Sequence, residues 1–321
     1  MKSVFIFLLS WGAPFLALWC GAHWLFYPPG DWIGAAIVSF CFALGIGALR
    51  KWRLEQRDAA IIARASGPLQ DGQRVAVAGT LEPTRAILQA PLSGQDSVVY
   101  DYSISHIPEQ SPLLGKTSNS SSRPAPREDR TGLAMVPCVI RHGLQEVRLL
   151  AFPTLQRFAT SDLQDGTRVR ARARHYLSTT PFKDQSIFNA MGQIAMVLED
   201  RSGCLQADWM MTDNVDLEKS IFTERVVPPG VPVCVLGTYS AKDNAIVPLA
   251  DTGGVTLIRG SREEALEFMR DKGLGSLIAA VLFLLVPGPA AYGILSHREH
   301  YFEENHQPTA RSERLDAAGV N

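Results

Sequence analysis

Three long runs without Asp, Glu, Lys or Arg dominate the hydrophobic pattern of the chain. They span residues 3–27, 32–49 and 274–296, and the turn-forming sequence PPGD separates the first two. A helix needs about 20 apolar residues to cross a hydrocarbon core of about 30 Å. The pattern predicts an N-terminal transmembrane hairpin over residues 1–50 and a third transmembrane helix over residues 274–296. A cleaved signal peptide is the alternative for the first run, and a buried helix for the third.

Positive charges beside these runs predict an orientation. The basic sequence RKWRLEQR, residues 50–57, directly follows the second run, whereas the PPGD turn carries no positive charge. Cytoplasmic loops of membrane proteins carry an excess of Lys and Arg. We therefore expect an integral protein of the bacterial inner membrane, with residues 51–273 as a cytoplasmic soluble domain and residues 297–321 as a polar tail.

Short runs in which apolar and polar residues alternate fill residues 51–273 and predict strands. The clearest is DGQRVAVAGT at residues 71–80, and PGVPVCVLGT at residues 229–238 repeats its shape. Aligning the two copies matches Gly79 with Gly237 and places valines at the same two strand positions. No acid, base or nucleophile recurs, which indicates scaffold. The predicted fold is membrane-anchored α+β, with a mostly β soluble part of two related β subdomains packed together and three transmembrane helices.

Three further segments refine this organisation. Residues 108–130 are rich in Ser, Pro and charge, and such a composition buries too little apolar surface to offset its ordering entropy, so we expect a flexible insertion. Residues 50–65 form a helical pattern that continues the second apolar run. Ser261 is followed three residues later by Glu264, which is the capping-box arrangement at the start of a helix.

Composition limits the chemistry that the chain can perform. Lys plus Arg (31) nearly balance Asp plus Glu (32), so the whole-chain charge argues neither for nucleic acid nor for a polyanionic substrate. The cysteines form no C-x-x-C pair, and we expect neither a disulfide framework nor a metal site. Cys138 and Cys234 lie in apolar strand-like runs, which predicts buried, inert thiols. No catalytic or cofactor-binding motif is found, so we expect no cofactor, and the sequence favours a non-enzymatic role without deciding the question.

Four stretches around the repeat match a known domain type: PLQDGQRVAVAGTLEP, LQAPLSGQDSVVYDYSI, ERVVPPGVPVCVLGT and TLIRGS. Over roughly residues 50–273 the chain resembles the GIDE-type domain, also called BAM for "beside a membrane". The best-known eukaryotic member of that family is a ubiquitin and SUMO ligase whose activity belongs to a C-terminal RING with Cys and His zinc ligands. This chain has no cysteine after Cys234. The resemblance therefore implies the RING-less prokaryotic type, without ligase activity.

The sequence TRVRARARHY holds a local concentration of positive charge. Its alternation predicts a strand with all four arginines on one face. Such a strip is either a solvated strand whose like charges discourage edge pairing, or a binding surface for an acidic protein partner or anionic lipid headgroups. Interleaved aromatic residues suited to nucleic acid are missing. The candidate binding residues are Arg168, Arg170, Arg172 and Arg174.

These observations favour a membrane-anchored, non-enzymatic interaction or sensing module, and the resemblance alone adds a role in envelope homeostasis. The expected partners are the lipid bilayer and an acidic protein or anionic lipid headgroups, without nucleic acid. Two alternatives stay open. One is a membrane-bound hydrolase or protease with an unrecognised site around His106, His142 or His175. The other is an accessory subunit of a membrane complex.

Overall fold

The computed structural model describes residue 20 and residues 32–65, 68–108, 125–143, 145–163, 166–184, 204–212, 215–248 and 254–285. The chain divides into two compact units, one comprising Met1–Arg57 with Met269–Asn321 and the other comprising Asp58–Phe268. Outside the described residues lie the first predicted transmembrane run apart from residue 20, most of the predicted flexible insertion, the end of the third apolar run and the polar tail.

Three helices are found among the described residues: α1 (Trp32–Ala63), α2 (Gly166–Thr179) and α3 (Arg262–Leu285). α1 covers most of the helix predicted over residues 50–65. At the start of α3, the Ser261 N–H donates to Glu264 Oε2 at 2.7 Å, and the Glu264 N–H donates to Ser261 Oγ at 3.3 Å. These bonds satisfy backbone donors that a helix start leaves unpaired. The predicted capping box is therefore confirmed.

The structure contradicts the prediction of three transmembrane helices. None of the helices formed by the described residues is long and apolar enough to cross a membrane. α3 begins with charged residues, and its described apolar part, from Leu274 to Leu285, extends only about 18 Å at about 1.5 Å per residue. In α1, charged residues follow from Arg50 onward. The fold class with three transmembrane helices is therefore wrong, and so is the integral-membrane localisation that depends on it.

Most of the remaining described chain is β-structure, arranged as two large sheets and one two-stranded pair. The strands are β1 (Arg74–Pro83), β2 (Leu88–Gln89), β3 (Asp96–Ser97), β4 (Val99–His106), β5 (Arg127–Met135), β6 (Cys138–His142), β7 (Gln145–Leu149), β8 (Thr154–Gln156), β9 (Ser161–Asp162), β10 (Lys183–Asp184), β11 (Leu205–Met210), β12 (Ser220–Val227), β13 (Val231–Ser240), β14 (Ala245–Val247) and β15 (Thr256–Arg259). The mostly β character of residues 51–273 agrees with the prediction.

Five strands close into a barrel. The order around it is β1, β6, β7, β14, β13 and back to β1, while β15 and β8 extend the sheet from β13. Neighbouring barrel strands are antiparallel except for β7 with β14. Numbered within the barrel, the order is 1-2-3-5-4-1 with a parallel 3–5 pair, which is the topology of an OB-fold. The barrel encloses an apolar core that includes Leu81, Ile140, Leu149, Val233 and Val235.

The two copies of the sequence repeat are neighbouring strands of this barrel. β1 carries the first and β13 the second, and Val77 lies opposite Val235 in their antiparallel ladder. A Cβ atom on Gly79 would overlap the Arg141 carbonyl oxygen, and one on Gly237 would overlap a side chain of β14. Both glycines therefore permit a close approach of a neighbouring strand. The repeat is scaffold, but its copies do not form two separate subdomains, so that part of the prediction is wrong.

Two of the cysteines are buried in the barrel. Cys138 on β6 and Cys234 on β13 are free thiols with almost no exposed surface. Burial raises the pKa of each thiol to about 12. Because the thiolate is the reactive form, both groups are protonated at neutral pH, and their predicted burial is confirmed.

A six-stranded sheet, ordered β10, β11, β5, β4, β12 and β9, is inserted between strands of the barrel. β4 and β5 lie between β1 and β6 in the chain, and β9 to β12 lie between β7 and β13. β5 begins at Arg127, so the end of the predicted flexible insertion belongs to a strand. α2 packs on this sheet against an apolar cluster that includes Leu92, Tyr100, Tyr102, Ile104 and Phe222.

In the other unit, α1 and α3 approach closely through small residues. A Cβ atom on Gly45 would come within 2.7 Å of the Leu284 side chain. Ser276 Oγ on α3 donates to Glu55 Oε2 on α1 at 2.6 Å, and both side chains are buried. This bond gives the two helices a buried polar contact.

Candidate functional site

The four arginines predicted to form a binding strip lie on α2 rather than on a strand. Successive helical residues are rotated by about 100°, so alternate positions do not share one face. Residues four apart do share a face, which pairs Arg168 with Arg172 and Arg170 with Arg174. The structure therefore replaces the predicted single strip with two pairs on different sides of a helix.

The same sequence also contains a helical pattern. Val169, Ala173, Tyr176 and Leu177 recur at i, i+4, i+7 and i+8, the spacing of an apolar helix face. All four pack in the apolar cluster on the six-stranded sheet, and Ala173 is fully buried. This spacing, rather than the alternation of the arginines, is the signal that identifies the element.

The arginines of α2 differ in what they contact. Arg168 and Arg174 are exposed and make no hydrogen bond or ion pair with another described residue. Arg170 Nη1 lies 3.1 Å from Glu218 Oε2. Arg172 Nη1 donates to a backbone carbonyl in the turn between β2 and β3. Arg168 and Arg174 are thus accessible to a ligand, whereas the other two arginines hold neighbouring segments.

The turn that Arg172 contacts is anchored by a buried carboxylate. Glu224 on β12 is 1% exposed. Its Oε1 accepts the Leu92 N–H at 2.9 Å, and its Oε2 accepts the Ser93 N–H at 3.0 Å. The Arg172 guanidinium donates to the Ser93 carbonyl of the same turn. Helix, turn and sheet are therefore joined by a continuous set of hydrogen bonds.

α2 is also joined to the sheet through Asp208 on β11, which is buried. Asp208 Oδ1 accepts the Tyr176 hydroxyl at 3.0 Å and the Tyr102 hydroxyl at 2.6 Å, and Oδ2 accepts Gln206 Nε2 at 2.9 Å. Burial, together with the Asp208 carboxylate, raises the pKa of Tyr176 to about 12 and also raises the pKa of Tyr102. Both phenols therefore keep their protons at neutral pH and act as donors.

The charges of α2 are unfavourable for a helix on its own. The helix contains four arginines and neither Asp nor Glu. Like charges at i and i+4 cost about 0.2–0.5 kcal/mol per pair. The first turn has no acidic residue, although negative charge there interacts favourably with the helix dipole. The helix thus presents a positive surface that a negatively charged ligand would stabilise.

The three histidines of the alternative hydrolase site lie on different elements. His106 ends β4, His142 ends β6 and His175 is on α2. His106 Nδ1 lies 2.8 Å from Oδ2 of the buried Asp129. In the part of the chain that the structure describes, no hydrogen bond joins any two of these histidines. The described contacts therefore give no support to the alternative of a catalytic cleft built around these histidines.

Two large cavities lie within Asp58–Phe268. One, of about 660 Å³, borders β1 and the β6–β7 hairpin, and another, of about 390 Å³, lies over the six-stranded sheet. The second contains an ion pair in which Arg225 Nε lies 2.8 Å from Asp101 Oδ1. Burial raises the pKa of Asp101, and Arg225 partly opposes that shift.

Among the described residues, no group of three or more His, Cys, Asp or Glu side chains is placed to hold a metal ion.

These features define the class of the protein by its structure: a closed five-stranded barrel with an inserted sheet that carries a basic helix. A scan against protein-family models, a search of curated proteins and a search of solved structures each found no match. The resemblance to the GIDE/BAM domain therefore stays a prediction. Function has to be argued from the site, because a fold alone does not specify it.

Proposed function

We propose that this protein is a non-enzymatic binding module and that α2 recognises an acidic segment of a partner protein. The observation that carries the proposal is the positive charge of α2, which contains two exposed arginines, Arg168 and Arg174, and no acidic residue. A guanidinium group offers a planar fork of donors that matches a carboxylate. An acidic segment would supply the negative charge that α2 lacks.

The attachment of α2 to the sheet supports this role because it holds the arginines in place before a partner arrives. Tyr176 is bonded to Asp208, Arg172 is bonded to Ser93, and Ala173 packs in the apolar cluster between them. A surface that is already ordered loses less conformational entropy on binding. The resemblance to the RING-less type of GIDE/BAM domain also supports a role that does not depend on catalysis.

The proposal is tested by fluorescence anisotropy with the purified full-length chain and a fluorescein-labelled oligoglutamate peptide. Arg168→Ser/Arg174→Ser is compared with Arg148→Ser/Arg259→Ser, which removes the same charge from two exposed arginines of β7 and β15. We expect the α2 variant to bind about tenfold more weakly, which corresponds to about 1.4 kcal/mol. The control variant should stay within about twofold of the unmodified chain, because the loss of two salt-screened surface charges away from α2 changes little.

Three outcomes would overturn the proposal. Equal weakening in both variants would show that only net charge matters, and equal binding of an oligoglutamine peptide would exclude recognition of acid groups. In a parallel experiment, vesicles containing phosphatidylserine replace the peptide. Tighter binding to these vesicles that depends on Arg168 and Arg174 would assign the surface to anionic lipid headgroups instead of a protein.

A further inference from the structure

One edge of β1 pairs with a described neighbouring strand over only part of its length. β13 pairs with β1 from Arg74 to Leu81, whereas on the opposite edge β6 pairs with β1 only from Thr80 to Pro83. β6 ends at His142, where the chain turns back through Gly143, which has a φ of 58°. No other described strand pairs with the remaining half of this edge. Among the described strands, this edge of β1 is therefore paired in its C-terminal part and unpaired in its N-terminal part.

The direction of the backbone groups along this open edge follows from two hydrogen bonds. The Thr84 N–H donates to Pro137 O at 2.9 Å on the β6 side, and the Tyr239 N–H donates to Gln73 O at 3.0 Å on the β13 side. Successive residues of a strand direct their backbone groups to opposite edges. Even-numbered residues of β1 therefore face the β6 side. The N–H and C=O of Ala78 point past the end of β6, where no described residue bonds to them.

The cavity of about 660 Å³ lies directly along this open edge, and its lining includes Ala78. Val77, Val147 and Val233 from the barrel core contribute an apolar floor. A pocket with an apolar floor and a few placed polar groups is the usual form of a ligand site. Here the placed polar groups are the unused backbone N–H and C=O of one strand residue.

The two arginines that line the cavity are already held by other groups of the protein. Arg141 is paired with both Glu82 and Glu146, the latter at 2.8 Å. Arg262 Nε donates to the Ile62 carbonyl at the end of α1, at 3.1 Å. The guanidinium groups that line the cavity thus already have partners, and the ligand is selected by backbone hydrogen bonds and apolar contact.

We propose that this cavity binds an uncharged, extended peptide segment of another protein, which adds as a short strand to β1 at Ala78. In strand addition, main-chain hydrogen bonds supply affinity, and pockets for alternate side chains supply specificity. One peptide residue would exchange N–H and C=O bonds with Ala78. An aliphatic side chain beside that residue would rest on the floor formed by Val77, Val147 and Val233. This site is separate from α2 and needs none of its arginines.

The test uses the full-length chain and a fluorescein-labelled peptide of alternating Val and Ser with blocked ends. Two further versions of the peptide carry N-methyl groups on either the Val nitrogens or the Ser nitrogens. Only one set of peptide N–H groups can face β1, because N–H directions alternate along a strand. We expect one methylated version to bind at least about tenfold more weakly and the other to bind within about twofold of the parent peptide.

Hydrogen exchange followed by mass spectrometry locates the bound peptide without any substitution in the protein. The segment of β1 that contains Ala78 should become protected when the unmodified peptide is added, and α2 should not. Binding should persist in Arg168→Ser/Arg174→Ser. The proposal is overturned if the peptide does not bind, if both methylated versions bind equally, or if protection appears elsewhere than along β1.

Discussion

Tyr176 on α2 donates its hydroxyl to the carboxylate of Asp208 on β11, with 3.0 Å between Oη and Oδ1. The same carboxylate oxygen accepts the Tyr102 hydroxyl of β4 at 2.6 Å. Asp208 thus joins the basic helix to two strands of the sheet on which it packs. Because Asp208 is buried, water does not readily replace a lost donor.

The first prediction concerns this bond. Tyr176→Phe should lower the free energy of unfolding by about 1–2 kcal/mol, because a buried acceptor loses one of its donors while the apolar contact of the ring is kept. Urea unfolding followed by circular dichroism measures the change.

Tyr239→Phe is the matched control for this substitution. Tyr239 donates to Asn244 Oδ1 at 3.0 Å in an exposed position, where water can take over the bond. We expect it to cost less than about 0.5 kcal/mol. Equal losses in the two variants would contradict a special role of the Tyr176–Asp208 bond.

The second prediction concerns alkaline pH. The pKa of Tyr176 is raised to about 12, whereas an unfolded tyrosine titrates near about 10. Because the pKa is higher in the folded state, the protonated hydroxyl of Tyr176 stabilises the folded chain. This stabilisation is fully present below pH of about 10 and is lost as the pH rises from about 10 to about 12. The urea midpoint should fall across this range. The fall should be shallower for Tyr176→Phe, and identical slopes for the two chains would contradict the prediction.

The third prediction concerns the space beneath α2. Gly132 on β5 lies against the Asp208 carboxylate and the Tyr102 ring, and a Cβ atom there would overlap both. Tyr102 is 3% exposed, so its ring has little room to move. Gly132→Ala should lower the free energy of unfolding by about 3 kcal/mol through overpacking and a disturbed hydrogen bond.

Gly275→Ala is the control, and it should not lower the free energy of unfolding. Gly275 lies on α3, and a Cβ atom there would meet nothing within 4 Å. Ala is a better helix former than Gly by up to about 1 kcal/mol, so this variant should be unchanged or more stable. A destabilised Gly275→Ala, or a fully stable Gly132→Ala, would show that the local packing differs from that described.

Local patterns accounted for β1, β13 and the start of α3. Alternating valines mark a half-buried strand whatever it pairs with, and the reciprocal bonds of Ser261 and Glu264 need only three residues of separation. The same reasoning failed for α2 because its arginines alternate with the period of a strand while its apolar residues follow the period of a helix. The apolar sheet surface beneath Ala173, which only the folded chain provides, decides between the two periods.

The membrane interpretation failed for a related reason. A run of apolar residues in the sequence indicates that these side chains avoid water. It does not show how many of them belong to one helix. The apolar part of α3 that the structure describes starts at Leu274, well inside a helix that begins with charged residues. Neither helix length nor helix start is set by hydropathy alone.

By itself, the sequence determined that β1 and β13 are strands, where one helix begins and that two thiols are buried, because neighbouring residues carry these preferences. Tertiary structure alone decided that the two repeats are adjacent barrel strands and that Glu224 anchors a turn 132 residues away. It also decided that the arginines lie on a helix fixed by Asp208, and that no described strand pairs with half of one edge of β1. Such relationships depend on contacts between distant residues, which form only when the closed barrel and the inserted sheet bring those residues together.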